Sequence, residues 1–290
     1  MKMAIFTNQA TLSYRNGTVS SNVVTGEILE VLSAAKNALL DTYSAGDTVT
    51  YVISILNTGS APVTGVSVSD DLGAYNFNGT TLVPLTYIED SVAYYLDGVL
   101  QPDPAVTQGT ELVFSGLTVP AEGNTVLVYQ ARVNEFAPLG ADAEIVNTAT
   151  VAGVGICDSV VVSETVRASN APALGITKGI FPTTVVENGQ LTYTFTVQNF
   201  GNANATADDD LVVSDVFDPR LSQISVTYNG TPWTEGVEYS YDPATGVFTT
   251  VAGSVTVPAA TYMQDPATGE WNVLPGESVI SVTGTVACDA

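Results

Sequence analysis

Short runs in which apolar and polar residues alternate recur along the whole chain. Examples are TVTYVISILN, NTVLVYQARV and QLTYTFTVQN, each flanked by turn-forming residues such as Gly, Asn and Asp. Alternation with a period of two is typical of strands that bury one face, and Val, Ile, Thr and Tyr favour strands. The spacing of these runs predicts an all-β protein with two tandem Ig-like β-sandwich domains. Residues 27–40 have some helical propensity, but the matching segment in the second half is clearly β, so strand is predicted there too.

The chain contains an internal repeat. AAKNALLDTYSAGDTVTYVISILNTG aligns with GITKGIFPTTVVENGQLTYTFTVQNFG, and VSVSDDL aligns with LVVSDVF after a short insertion. The first unit continues into IVNTATV at residues 145–151, whereas the second is expected to stop before this strand, and a similar strand occurs at residues 5–12. The repeat therefore predicts an N-terminal donor strand or hairpin at residues 1–26, a first domain at 27–166, and a second domain at 167–290 that lacks its last strand.

A sandwich without its last strand has an open sheet edge, and such an edge can pair with another chain. We expect the N-terminal strand to fill it, with backbone hydrogen bonds giving affinity and alternate side chains fixing the register. A whole domain separates donor and acceptor, so insertion into a neighbouring molecule is favoured over folding back, and this head-to-tail contact builds a filament. The alternative is that residues 1–26 are simply the first strand of unit one. The donor face predicted to be buried carries Phe6, Asn8, Ala10, Leu12 and Tyr14.

Charge and composition exclude several classes of function. The chain has 30 acidic and 7 basic residues, so little positive charge is present to neutralise nucleic-acid phosphates or an anionic membrane. It contains no His, which removes His-based acid–base catalysis and His-ligated metal sites. Residues 1–8 do not resemble a signal peptide, and no apolar run approaches the ~18 residues of a membrane helix. We therefore expect a protein that is not an enzyme, uses no cofactor or metal, and has identical subunits as its partners.

Polar residues interrupt the apolar faces of several predicted strands at equivalent repeat positions. Lys36, Asp70 and Asn147 form one set in unit one. Burial tends to neutralise both Lys and Asp, and a neutral amine beside a carboxamide, with a carboxylic acid to shuttle protons, can form a Lys–Asn isopeptide bond with loss of ammonia. The alternative is a buried Lys–Asp ion pair with Asn hydrogen-bonded nearby. The second set would be Lys178, Asp215 and Asn8 from a neighbouring chain. Asp70 and Asp215 would then be the catalytic groups of autocatalytic cross-linking.

The motifs GDTVTYVISILNTGSAPVTGVSVSDDL and IVNTATV resemble the conserved-repeat domain of bacterial and archaeal surface proteins, the eleventh family of unknown function. This resemblance covers nearly the whole chain in two copies, and it implies Ig-like sandwiches in extracellular stalks, adhesins and coat proteins. The placement of Lys, Asp and Asn is similar to that in pilin and collagen-adhesin domains, which implies intramolecular isopeptides. Without a recognisable leader or wall anchor, the chain is expected to form a self-assembling appendage.

Cys157 and Cys288 are expected near the junction between the domains, where a disulfide within or between chains would brace a filament; free thiols are the alternative.

The favoured function is a structural subunit of an extracellular filament on a cell or spore surface, polymerised by strand donation. The alternative is a monomeric two-domain surface adhesin or stalk module.

Overall fold

The computed structural model describes residues 3–287, and in this part of the chain nearly all regular structure is β-strand. A single turn of 3-10 helix occupies Ala207–Asp209. Within these residues, no helix has the length and apolar character that crossing a membrane requires. The predicted all-β fold class is therefore confirmed. The chain divides into two compact units: unit one runs to Ala137 and includes Glu144–Arg167, and unit two comprises Pro138–Ala143 and the residues from Ala168 onward.

The N-terminal segment forms a long two-armed hairpin. Its strands are β1 (Met3–Asn8), β2 (Thr11–Tyr14), β3 (Gly17–Ser20) and β4 (Val24–Leu29). β1 pairs with β4 and β2 pairs with β3, and among residues 3–287 these four strands join no other sheet. The pairing shifts by one residue between Asn8↔Val24 and Thr11↔Ser20. Such a shift is a bulge, which bends and twists a ribbon.

Unit one is a β-sandwich of two six-stranded sheets. Its strands are β5 (Leu32–Ala38), β6 (Thr42–Tyr43), β7 (Thr48–Asn57), β8 (Val63–Asp70), β9 (Tyr75–Phe77), β10 (Thr80–Leu82), β11 (Leu85–Tyr87), β12 (Ala93–Leu96), β13 (Val99–Gln101), β14 (Ala105–Gln108), β15 (Leu112–Val119), β16 (Asn124–Val133), β17 (Glu144–Gly153) and β18 (Val160–Ala168). One sheet has the order β13-β12-β16-β7-β5, with β11 also on β16, and the other has the order β14-β15-β8-β17-β18-β6. β9 and β10 pair separately.

The core of unit one lies between these sheets and follows the alternation in the sequence. On β7, every second side chain is buried, including Tyr51, Ile53 and Ile55. Phe114 on β15 packs against Tyr129 on β16 across the sandwich, with ring centroids 5.3 Å apart. Because both sheets contribute alternate residues to one apolar layer, a one-residue slip in register would expose that layer.

Unit two is built from the same parts with fewer strands. They are β19 (Leu174–Phe181), β20 (Gln190–Asn199), β21 (Ser214–Val216), β22 (Leu221–Tyr228), β23 (Thr231–Pro232), β24 (Tyr239–Asp242), β25 (Val247–Thr250), β26 (Thr261–Gln264), β27 (Trp271–Leu274) and β28 (Gly276–Val286). One sheet has the order β19-β20-β28-β22-β23, and the facing sheet is only β21-β25-β24, with β26 and β27 as a separate ribbon. Its core is rich in aromatic rings: Tyr193 and Phe195 of β20 lie against Phe217 and Phe248 of the opposite side.

The repeat extends to single hydrogen bonds. Asn57 at the end of β7 is fully buried and donates through Nδ2 to the carbonyl oxygens of Ala61 and Pro120, both at 2.9 Å. Asn199 at the end of β20 is equally buried and donates to the carbonyl of Ala203 at 2.7 Å. A buried amide with satisfied donors fixes a turn that backbone hydrogen bonds alone would leave loose. The Asn-x-Gly sequences that end the two aligned segments, at residues 57–59 and 199–201, thus form equivalent turns in both units.

Candidate functional site

Lys36 lies on β5 with its side chain inside unit one. Its Nζ atom is 2.6 Å from Oδ2 of Asp70 at the end of β8, and both side chains are completely inaccessible to solvent. The ammonium group also lies 4.9 Å from the centre of the Tyr51 ring. Burial lowers the pKa of Lys36, and the attraction of Asp70 opposes this shift without cancelling it. The fold therefore favours the neutral, nucleophilic amine at this position more than water does.

Asn147 of β17 joins the same buried cluster. Its Nδ2 atom donates a hydrogen bond to the hydroxyl oxygen of Tyr129 at 3.3 Å, and that hydroxyl donates to Oδ2 of Asp70 at 2.6 Å. The Oδ1 atom of Asn147 is buried and accepts no hydrogen bond within the part of the chain that the structure describes. The three residues singled out in unit one thus come together, connected through one carboxylate oxygen.

Tyr129 was not identified as a candidate from the sequence. It stands at an inward position of NTVLVYQARV, where a Tyr fits the core as well as any other large residue, so its role depends on contacts that only the fold reveals. Burial raises the pKa of Tyr129, and the adjacent Asp70 carboxylate adds to the effect. The phenol therefore keeps its proton and acts as a donor to Asp70.

Asp71 is a second residue that sequence reasoning missed. Its Oδ1 atom accepts hydrogen bonds from the backbone N–H of Thr148 at 2.9 Å and of Gly73 at 2.8 Å. The Asp71 N–H in turn donates to the carbonyl oxygen of Thr148 at 3.0 Å. Since Thr148 follows Asn147 directly, Asp71 fixes the part of β17 that carries the carboxamide.

Replacing Asp71 by Ala should destabilise unit one by about 1–3 kcal/mol, because the Thr148 N–H loses its acceptor. Urea unfolding followed by circular dichroism measures the change. The matched control is Asp158→Ala, which removes an exposed carboxylate on the β17–β18 loop and should leave the unfolding midpoint unchanged. Equal midpoints for the two variants would contradict the positioning role of Asp71.

The corresponding pair in unit two is open to solvent. Lys178 lies opposite Phe195 as Lys36 lies opposite Ile53, so the two lysines occupy the same position in the repeat. Lys178 forms an ion pair with Asp215, but their side chains are 40% and 21% exposed, against 0% for both partners in unit one. Lys178 and Asp215 are thus paired in the described chain, and the third member of this set, Asn8 of a neighbouring chain, stays a prediction.

The exposure has a structural cause in the strand β21. In unit one, β8 pairs with β15 on one side and with β17 on the other. In unit two, the matching strand β21 pairs with β25 and, among residues 3–287, with no strand on its other edge. Ile176 and Ile180, which alternate with Lys178 on β19, are 56% and 44% exposed. Exposed apolar side chains beside an unpaired edge are typical of an interaction surface.

The residues predicted for the donor strand all lie in the hairpin and are exposed. Phe6 and Asn8 belong to β1, Leu12 and Tyr14 belong to β2, and Ala10 lies at the bulge between them. Phe6 and Leu12 are 50% and 65% accessible. The apolar side chains predicted for the donor face are therefore exposed to solvent in the described chain. Its insertion into another subunit stays a prediction.

Cys157 is exposed on the loop between β17 and β18. Cys288 lies outside the described residues, so the predicted disulfide stays a prediction. Among residues 3–287, no group of three or more Cys, Asp or Glu side chains is arranged to hold a metal ion.

No protein-family model and no curated protein matches the chain, so the family resemblance stays a prediction. Three solved structures illustrate the range of similar folds. BcpA, the major pilin subunit of Bacillus cereus, is 12% identical with a TM-score of 0.35, over 97% of this chain and 74% of that one. The collagen-binding subdomain of the Enterococcus faecalis surface protein ACE is 9% identical with a TM-score of 0.32, over 48% and 98%. A family 123 glycoside hydrolase from Clostridium perfringens is 14% identical with a TM-score of 0.32, over 48% and 28%. These similarities are too distant, and the proteins too different, to identify a function.

Proposed function

We propose that the chain is a structural subunit of an extracellular filament, on a cell or spore surface, that polymerises head to tail by strand donation. The donor is the N-terminal hairpin of one subunit, and the acceptor is the free edge of β21 in the next. The observation that carries the proposal is the difference between the two units: among residues 3–287, β8 is paired on both edges, whereas β21 is paired on one.

The hairpin matches the strand that fills this place in unit one. When Asn8 is aligned with Asn147, three further pairs of residues correspond: Phe6 with Ile145, Ala10 with Ala149, and Leu12 with Val151. The four residues of unit one in this alignment are all buried on β17. Insertion would therefore move Phe6 and Leu12 from solvent into the core of unit two, and burial of such side chains contributes about 2–3 kcal/mol each.

The proposed function includes covalent locking of both sites. The neutral Lys Nζ attacks the Asn side-chain carbonyl carbon, a new C–N bond forms, and the original carboxamide C–N bond breaks to release ammonia. The Asp carboxyl group takes a proton from the amine and delivers it to the leaving nitrogen. Lys36 and Asn147 would react within unit one. Lys178 would react with Asn8 of the neighbouring subunit, once the inserted strand has covered the pair with Asp215.

Electron microscopy of concentrated protein tests the polymerisation. The wild-type chain should form fibres, and Phe6→Asp should form none, because it would place a carboxylate where unit one buries Ile145, at a cost of several kcal/mol. The matched control is Thr7→Asp, which adds the same charge on the opposite face of β1. Its counterpart in unit one, Val146, is 44% exposed, so fibres should persist.

Two other outcomes would contradict the proposal. A wild-type protein that stays monomeric at high concentration favours a two-domain surface adhesin or stalk module. Fibres that persist in Phe6→Asp would show that polymerisation does not depend on the apolar face of the hairpin.

A further inference from the structure

We infer that the donated element is the intact hairpin, with both arms entering the neighbouring unit two, and not a single strand. This inference rests on the proposed strand donation and adds a second contact to it. In unit one the sheet order is β8-β17-β18-β6, so two strands lie between β8 and β6. Neighbouring strands are about 4.8 Å apart, so a single added strand fills only half of the corresponding space in unit two.

Both sides of this space are identifiable in unit two. One side is the free edge of β21. The other is the segment at residues 183–186, which aligns with the β6 region of unit one and forms no strand. Gly46 and Asn188 mark the same turn after each segment, since both have left-handed backbone conformations, with φ of 78° and 56°. Val185 takes the place of Tyr43 and packs at the border of the unit-two core. Segment 183–186 is therefore positioned to pair with the outer arm of a hairpin.

The hairpin reproduces the pairing of β17 with β18. In unit one, Ile145 lies opposite Val166 and both are buried. In the hairpin, Phe6 lies opposite Gly26. A Cβ atom at Gly26 would collide with the Phe6 ring, so the ring occupies the space that a side chain at position 26 would need. A large residue opposite a glycine thus takes the place of two branched aliphatic residues, and the volume facing the core is similar.

The hairpin is also already formed before donation. β1 and β4 pair over six residues, from Met3↔Leu29 to Asn8↔Val24. Donating β1 alone would require these backbone hydrogen bonds to break, whereas donating the hairpin preserves them. A preorganised element also loses less conformational freedom on binding. Insertion of both arms is therefore the less costly route.

The outer arm has a specific expected neighbour. In unit one, the backbone N–H of Arg167 on β18 donates to the carbonyl oxygen of Asp41 at 2.9 Å. When the hairpin is aligned with β17 and β18, Glu27 corresponds to Arg167. When unit two is aligned with unit one, Thr183 corresponds to Asp41. Glu27 of one subunit should therefore lie beside Thr183 of the next. For the inner arm, Thr150 pairs with Ser69 in unit one, so Thr11 should lie beside Ser214.

Engineered disulfides between full-length chains test both contacts. In a background with Cys157→Ser and Cys288→Ser, a Glu27→Cys chain is mixed with a Thr183→Cys chain, assembled and oxidised. Paired residues on adjacent strands are within the Cα separation that a disulfide spans, about 4.4–6.8 Å. Peptide mass spectrometry should find residues 27 and 183 joined. A second mixture of Thr11→Cys and Ser214→Cys chains reports the inner arm, and a mixture of Glu27→Cys with Thr231→Cys, on the opposite edge of unit two, should give no specific product.

The outcomes distinguish the inference from the proposed function. If both pairs cross-link, the hairpin is donated whole. If the 11–214 pair forms and the 27–183 pair does not, a single strand is donated, which overturns this inference and leaves strand donation intact. If neither pair forms in assembled protein, both are overturned.

Discussion

Replacing Asn8 by Ala should convert fibres that survive boiling in detergent into fibres that dissolve to monomers. The substitution removes the one carboxamide of β1, which lies on the same face as Phe6, so Lys178 loses the electrophile proposed for it. Insertion itself relies on the apolar side chains and the backbone, so fibres should still be visible by electron microscopy. After boiling in detergent, wild-type fibres should give a ladder of covalent oligomers on a gel, and Asn8→Ala fibres should give a single monomer band.

The matched control for Asn8→Ala is Gln9→Ala. Gln9 also carries a carboxamide, but it lies on the other face of the strand, where its counterpart Thr148 points away from the Lys36 cluster. This variant should keep the ladder. A ladder that persists in Asn8→Ala would rule out Asn8 as the cross-linked residue. If boiled wild-type fibres give no ladder, strand donation occurs without a covalent bond between subunits.

Replacing Lys36 by Met should restore the full sequence mass of the monomer and sharply reduce the stability of unit one. The wild-type monomer should be about 17 Da lighter than its sequence, because one ammonia leaves when Lys36 joins Asn147. A cross-link closing a loop on the order of 100 residues contributes about 4–5 kcal/mol by chain entropy. Removing Lys36 also leaves the buried Asp70 carboxyl group without the N–H donor that the cross-linked Lys36 would offer it, which adds a cost of about 1–3 kcal/mol.

Intact-mass spectrometry and thermal unfolding measure these two effects. Asn147→Ala should likewise have the full mass, while Asn37→Ala should keep the deficit, because Asn37 is exposed beside Lys36 on β5. A wild-type chain of full mass would favour the alternative of a buried ion pair. The monomer should show one deficit only, since the reaction at Lys178 needs a neighbour. Two deficits in a monomer would contradict the assignment of Asn8 to the next subunit.

The strand pattern could be predicted from the sequence because it depends on local alternation. TVTYVISILN and QLTYTFTVQN each became one ten-residue strand, with alternate side chains buried in the core. The grouping of Lys36, Asp70 and Asn147 was also predictable, since each interrupts an apolar face that must point inward. The repeat then fixed Lys178 and Asp215 by equivalence.

What the sequence did not reveal depends on contacts between distant strands. Tyr129 is distinguished from other core tyrosines only by its hydrogen bond to Asp70, and Asp71 only by its acceptance of the Thr148 N–H. Their counterparts in unit two are Val282 and Val216, which can do neither. The repeat alone gives Lys178 the inward position of Lys36, and its exposure in the described chain agrees with the strand that the second domain was predicted to lack. The pairing of Phe6 with Gly26 likewise required the hairpin register.

The place of Lys36 on β5, the strand that follows the hairpin, has a mechanical consequence. Only Glu30 and Val31 separate β4 from β5, and Asn147 lies on β17, one strand before the chain leaves unit one. With the proposed bond closed, tension entering through the hairpin would pass from Lys36 to Asn147 and out along β18. The residues from β6 to β16 would then bear almost none of the pull, and the unit could not be extended by unravelling them.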